Sequence, residues 1–282
     1  MFLIFGKFSS WGRLVAWIAL CEFGGILGHQ LLTAQVLAQG QHAVVSNSIR
    51  GSDGCLSVEV RGVEDYKYRV TDVCGWQVKI REELELGKES SEQVTEAFSH
   101  LREQLEEIER VVPKPAVQKL KSVVLWFSPE YEGVPPRAEY HPGEEWLKDN
   151  GRDPQMVRGV EFTNVKVFSR ERLRMPNFVL HELAHAFHHQ VLADGFENKQ
   201  VKEMYQKARD TGSYERVEQR FGDGRSKTVR AYAMNNAAEY FAEGTEAYFS
   251  TNDFFPFDRS QLRKHDPELQ ELLGQLWSNG AK

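Results

Sequence analysis

Cysteine, internal repeats and basic surplus are what this sequence has least of. Three cysteines occur in 282 residues, and none stands beside another cysteine or a histidine, which excludes a thiolate zinc cluster. Thirty-five Lys and Arg against 41 Asp and Glu leave a formal net charge of −6. With no basic stripe and no aromatics interleaved among basic residues, a nucleic-acid partner is not expected. No repeat period or low-complexity tract runs through the chain, so solenoids and biased linkers drop out. What remains is 41% hydrophobic and 27% charged, an ordinary globular chain long enough for one sizeable core and a smaller module.

Residues 1–38 read as an export signal. Lys7 and Arg13 lead, without an acid, into the apolar run LVAWIAL, and Val36-Leu37-Ala38 makes a signal-peptidase site before Gln39. An uncleaved membrane anchor is the alternative, although Glu22, His29 and Gln30 suit a bilayer core of about 20 residues poorly. The mature chain is therefore expected to be secreted or periplasmic, without stable membrane association. It keeps Cys55 and Cys74, an even pair that suggests one disulfide closing a loop of about 20 residues and contributing about 3 kcal/mol.

Residues 39–88 form an expected small β-rich module, since LSVEVRG, YKYRV and WQVKIR alternate at period two. A second domain is expected over residues 89–282. Val94, Ala97, Phe98, Leu101, Leu105, Ile108 and Val112 recur at three- and four-residue steps, which predicts an amphipathic helix ended by Pro113. SVVLWF reads as a buried strand, residues 131–154 as an irregular Pro- and Gly-rich stretch, and residues 159–168 (GVEFTNVKVF) as another strand. Asn177 can cap a helix carrying FVLHELAHAFHHQVL. A polar segment over 197–227, a helix AAEYFAEGTEAYFS and a short C-terminal helix complete the chain.

The chemistry concentrates in HELAH. Residues four apart share a helix face, so His181 and His185 can both turn a ring nitrogen toward one zinc ion. Glu182 faces the open side, where a carboxylate can take a proton from a water and pass it on. A hydrolytic site needs a third protein ligand and a vacant position. Glu239, Glu243 and Glu246 share one stripe of the later apolar helix. Burying that stripe without a partner would be costly. Glu239 is the expected ligand, Glu243 the acceptor for the spare N–H of a ligating histidine, and Glu246 a surface residue. His188 and His189 read as polarity at the helix end.

HELAH followed by this Glu-bearing helix resembles the gluzincin zinc peptidases, and most closely the anthrax lethal factor catalytic domain and the Pro-Pro endopeptidases. That group places a tyrosine seven residues before the ligand Glu, as Tyr232 stands before Glu239, and EYFAE spans 239–243. The resemblance covers roughly residues 160–250. It implies an α+β, zincin-like fold with an edge strand above the motif helix, for which 159–168 is the candidate. It also implies a Tyr232 hydroxyl donated to the oxyanion, Zn2+ as cofactor, and a peptide or protein as substrate. The gap from His185 to Glu239 is longer than in that group, and its extra residues, including FGDGRSKTVR, are expected to reshape the cleft or supply a substrate loop. Two other functions fit the same residues: a zinc hydrolase of a non-peptide amide, and a catalytically silent zinc-bearing binding protein. Oligomeric state is not encoded in any of these patterns.

Overall fold

The structure is a computed structural model describing residues 5–8, 14–17, 66–86 and 88–279. Most of the expected export segment and the first part of the expected β module, with Cys21 and Cys55, lie outside the described residues. Two compact units are distinguished, and each is taken by itself. In the first, Met1–Tyr66 with Lys148–Arg152, strand β1 (Phe5–Phe8) pairs antiparallel with β2 (Leu14–Trp17). The second, Lys67–Leu147 with Asp153–Lys282, holds the motif residues.

In chain order its elements begin with β3 (Tyr68–Val73), β4 (Trp76–Arg81), α1 (Lys88–Val111), α2 (Lys114–Leu120), β5 (Leu125–Phe127) and β6 (Ala138–Tyr140). Helix α3 (Glu144–Asp149) follows, then β7 (Val160–Phe162), α4 (Phe168–Arg174), α5 (Phe178–Gln190) and α6 (Lys199–Thr211). The chain ends with β8 (Val217–Arg220), β9 (Ser226–Val229), α7 (Ala237–Phe249), α8 (Arg259–His265) and α9 (Pro267–Asn279). The architecture is α+β, a mixed five-stranded sheet of order β3-β4-β5-β7-β6 with helices against it. Pairs β4·β5 and β5·β7 are parallel, and the outer pairs β3·β4 and β6·β7 are antiparallel.

Helix α1 forms where the periodicity predicts. Its apolar stripe, Val94, Ala97, Leu101, Leu105 and Ile108, is buried and packs in one core with the inward residues of β4, β5 and β7 and with α5. Pro113, which has no N–H to give a continuing helix, separates α1 from α2 and stands at the N-cap of α2.

The strands differ from expectation in two places. Tyr68–Arg81, read as part of a separate module, supplies the outer hairpin of the same sheet that carries β5 and β7, because period-two alternation fits an outer hairpin as well as a free module. Its two-residue turn, Cys74-Gly75, has both φ angles positive (52° and 81°), the primed geometry that matches strand twist. Cys74 carries a free thiol in that turn, and its expected partner Cys55 lies outside the described residues. The second difference concerns the edge beside the motif helix. Of 159–168 only Val160–Phe162 is strand, and it lies between β5 and β6 with all three residues buried. The edge is β6, hidden in the stretch read as irregular. Pro135-Pro136 before it and Pro142 just after it hold it to three residues, too few for a period to register.

Helices α5 and α7 lie against each other, clamped by the last helix. The Trp277 ring of α9 stacks on Phe187 of α5 with centroids 3.9 Å apart and lies nearly parallel to Phe241 of α7 at 6.0 Å. Its indole N–H donates to Thr245 Oγ1 at 3.2 Å. Trp277→Ala is expected to cost about 3–5 kcal/mol through the cavity it leaves. For a unit of this size, that lowers the Tm by roughly 6–20 °C. Leu86→Ala, at a side chain 72% exposed, should change stability by less than about 0.5 kcal/mol. Urea and thermal melts of the two variants check this, and a Trp277→Ala loss no larger than the control would show that α9 does not hold the pair together.

Candidate metal centre

Each of the two helices that carry the motif residues is set in place by an asparagine cap. Asn177 Oδ1 accepts the Leu180 N–H at 3.0 Å, as the sequence predicts, and its amide donates to the Gln104 carbonyl of α1 at 3.2 Å. Gln104 returns the contact, its side-chain oxygen accepting the Val179 N–H at 3.1 Å. On α7, Asn236 Oδ1 accepts the Glu239 N–H at 2.9 Å. Four residues after the first cap stands His181, and three after the second stands Glu239, so both helices enter the site with a set rotation.

The facing side chains converge. His181 Nε2 lies 3.2 Å from His185 Nε2 and 3.2 Å from Glu239 Oε2, and His185 Nε2 lies 3.2 Å from the same oxygen. The centre of such a triangle is about 1.8 Å from each corner, close to the about 2.0–2.1 Å at which such donors would hold a zinc ion. Ligand atoms of a tetrahedral ion are about 3.3 Å apart, close to the spacing found. Three lone-pair donors this close repel one another unless a positive charge sits between them. The ionisation of the side chains says the same. Burial by itself lowers His181, but hydrogen bonds to the Glu239 and Glu246 carboxylates raise it well above the usual imidazole value. Burial by itself raises Glu239, but His181 and His185 hold it well below the ordinary carboxylate range. The donor set fits a divalent cation.

Behind the triangle the stripe of carboxylates departs from expectation. Glu246 is fully buried, and its Oε1 lies 2.6 Å from His181 Nδ1. Accepting that N–H leaves Nε2 with its lone pair toward the triangle. The expected acceptor, Glu243, is 3.8 Å from the same nitrogen and instead accepts the Asn252 amide at 3.0 Å. Burial and the neighbouring Glu246 push Glu243 well above its usual value, and burial raises Glu246 to about 7. A surface reading of Glu246 fails because its stripe faces α5 along the whole length of α7. The i+7 spacing from Glu239 was the available signal.

Glu182 lines a cleft beside His181. Its Oε2 accepts the backbone N–H of Tyr140, in the edge strand, at 2.8 Å. Sequence reasoning missed that partner along with the strand. The cleft, of about 300 Å³, is also lined by Ala138 and Tyr232. Tyr232 lies in a short turn just before α7, 45% exposed, its hydroxyl raised by burial and by the charge of Glu239. His188 is not part of the donor cluster. Its ring packs against Phe196 and Phe241, both nitrogens lack a partner, and burial pushes it down to about 3. His189 turns away to bond the Tyr140 hydroxyl, 2.8 Å from its Nδ1.

If Glu246 rather than Glu243 fixes the His181 ring, Glu246→Ala should weaken binding of a divalent probe such as Zn2+ by about 10–100-fold. Glu243→Ala should weaken it less. Competition titration against a chromophoric chelator gives both constants, and a larger loss in the Glu243 variant would reverse the assignment.

Residues 160–278, which hold both helices and the C-terminal clamp, match the family model described as glucose-regulated metallo-peptidase M90. The match supports a metallopeptidase and does not itself extend to the lethal factor group. No curated protein and no solved structure was found to match the chain. Over the segment that builds the triangle, this chain is similar to a metallopeptidase.

Proposed function

We propose that this protein is a zinc-dependent metallopeptidase in which His181, His185 and Glu239 hold the metal and Glu182 is the general base. The observation that carries the reading is the triangle of donors at 3.2 Å, one of which, His181, lines a cleft together with Glu182. Two imidazoles and one carboxylate suit zinc, whereas calcium and magnesium favour all-oxygen cages. A closed structural site would take a fourth protein ligand, and among the described residues the cluster offers three. When bound, zinc supplies Lewis acidity, polarising the scissile carbonyl and lowering the pKa of a water.

The chain's own groups account for the rest. Glu182 is oriented by the Tyr140 N–H on one oxygen, so the other is free to take a proton from the attacking water and pass it to the leaving amine. Tyr232, lining the same cleft, donates its hydroxyl to the oxyanion. Strand β6 suits an extended peptide. The Arg137 carbonyl accepts from Thr163 at 2.9 Å, and the His141 N–H donates to Gly159 at 3.0 Å, so alternate residues face β7. The Ala138 N–H and carbonyl then face away from the sheet, where a substrate strand can add. Export rests on the pattern of residues 1–38. A mature chain whose N-terminal sequencing begins at Gln39 supports it, and one beginning at Met1 removes it.

Glu182→Gln is expected to abolish peptide hydrolysis while zinc remains bound, and Tyr232→Phe to lower kcat by roughly 10²–10³. Assays on a broad peptide library, with zinc content measured in parallel, check both. Undiminished hydrolysis by metal-loaded Glu182→Gln would remove Glu182 from the chemistry.

A further inference from the structure

One end of the cleft is built of groups that the hydrolytic reading does not use. Asp253, just after α7, is 2% exposed. Its Oδ2 accepts from Arg174 Nη1 at 3.2 Å and from Gln219 Nε2 at 2.9 Å, and its Oδ1 has no partner. Arg174 gives its other amine to Glu171 Oε2 at 3.0 Å. A single guanidinium thus stands between two carboxylates, and the trio keeps one uncompensated negative charge. Asn164, also 2% exposed, lines the same cleft with its Oδ1 lacking any donor. Two buried acceptors without donors are uncommon in a folded chain, since such groups are nearly always paired.

The walls of this end are apolar. Met175, Phe178 and Phe254 line it beside the polar groups, a surface suited to methylenes. The extra residues between the motif and Glu239 make its buttress. The hairpin β8·β9 joins the Asp253 segment through the Gln219–Phe254 bridge and the Arg220 N–H donated to the Asp253 carbonyl at 2.8 Å. It also presses on α4. A Cβ added at Gly222 would lie 2.8 Å from the Leu173 carbonyl oxygen, so only glycine permits the approach.

We propose that this end of the cleft is a specificity subsite for a cationic side chain, a lysine or arginine near the scissile bond, held by Asp253, Glu171 and Asn164. The inference rests on the cleft being a peptide site as set out above. A long basic side chain matches each feature: methylenes for the apolar walls, a positive charge for the residual negative one, and N–H donors for two oxygens that lack them. A neutral side chain would exclude water and leave those acceptors unpaired, and an acidic one would add like charge.

The test separates binding from turnover. Dye-labelled, end-capped alanine octapeptides carrying a single Lys, Arg, Met or Glu at each position in turn are titrated into zinc-loaded Glu182→Gln by fluorescence anisotropy. At one position Lys or Arg should bind at least about tenfold tighter than Met. Adding Glu171→Gln should cut that advantage several-fold, and Glu171→Lys should turn it toward Glu. Equal affinities within twofold at every position, no measurable binding of the basic peptides, or an advantage that survives both Glu171→Gln and Asp253→Asn would overturn the subsite. Wild-type cleavage of the same peptides is scored separately. Hydrolysis without basic preference sinks the subsite and leaves the peptidase reading intact. Basic preference in binding, with no peptide cleaved, does the reverse.

Discussion

Three electron-pair donors held 3.2 Å apart in a buried place are unstable by themselves, and the arrangement of helices around them is organised to hold them there. Two of the donors sit one turn apart on α5 and the third on α7, so the triangle depends on the rotation and spacing of two helices. The asparagine caps Asn177 and Asn236 set the rotation. Trp277 and the missing side chain of Gly244 set the spacing. A Cβ at Gly244 would lie 2.8 Å from Leu269 Cδ2, so glycine lets α9 approach α7 at that point while Trp277 stacks across both helices. Stability and site geometry are therefore coupled at the same contacts.

The carboxylates of α7 form a gradient of environments along one stripe. Glu239, at the rim, is held ionised by two imidazoles. Glu246, at the buried end, keeps contact with His181 but is raised by burial, and Glu243 between them is raised by burial and by Glu246. The pattern follows from how many positive partners each carboxylate has, two for Glu239, one for Glu246 and an amide for Glu243. Like charges packed in so small a volume disfavour one another's ionised forms.

Much of this was legible in the chain. The α1 stripe, the Asn177 cap, the shared HELAH face and the shared face of Glu239, Glu243 and Glu246 each rest on a period or an offset within one helix, where spacing translates directly into direction. Glu246 was placed at the surface and Glu243 nearest His181, whereas both are buried and Glu246 is the nearer, because their spacing says that they share a face with Glu239, but not how deep the opposing helix reaches. The edge strand was missed for a different reason. Ala138–Tyr140 is held as a strand by its pairing with β7, a partner some twenty residues on, and has too few residues to carry a signal of its own. The hairpin Tyr68–Arg81 shows the converse, a strong local period that says nothing about which sheet it will join.

The same distinction divides the site by function. The donors and Glu182 are carried on two helices locked by caps and aromatic stacking, whereas much of the remaining cleft lining comes from β6, α4, the hairpin β8·β9 and the segment after α7. The two sets touch at few points. Tyr140 is one of them: its N–H orients Glu182 while its hydroxyl is tied to His189 at the far end of α5. The Asn252-Asp253 dipeptide is another, with Asn252 bonded to Glu243 and Asp253 to Arg174 and Gln219. Rigid elements suit groups that must be placed to a fraction of an ångström, and connecting segments suit groups that select a partner. If the cleft works as proposed, changes in the hairpin or in α4 would alter which side chain is accepted without moving the donors, while a change at Tyr140 or Asn252 would act on recognition and on chemistry together.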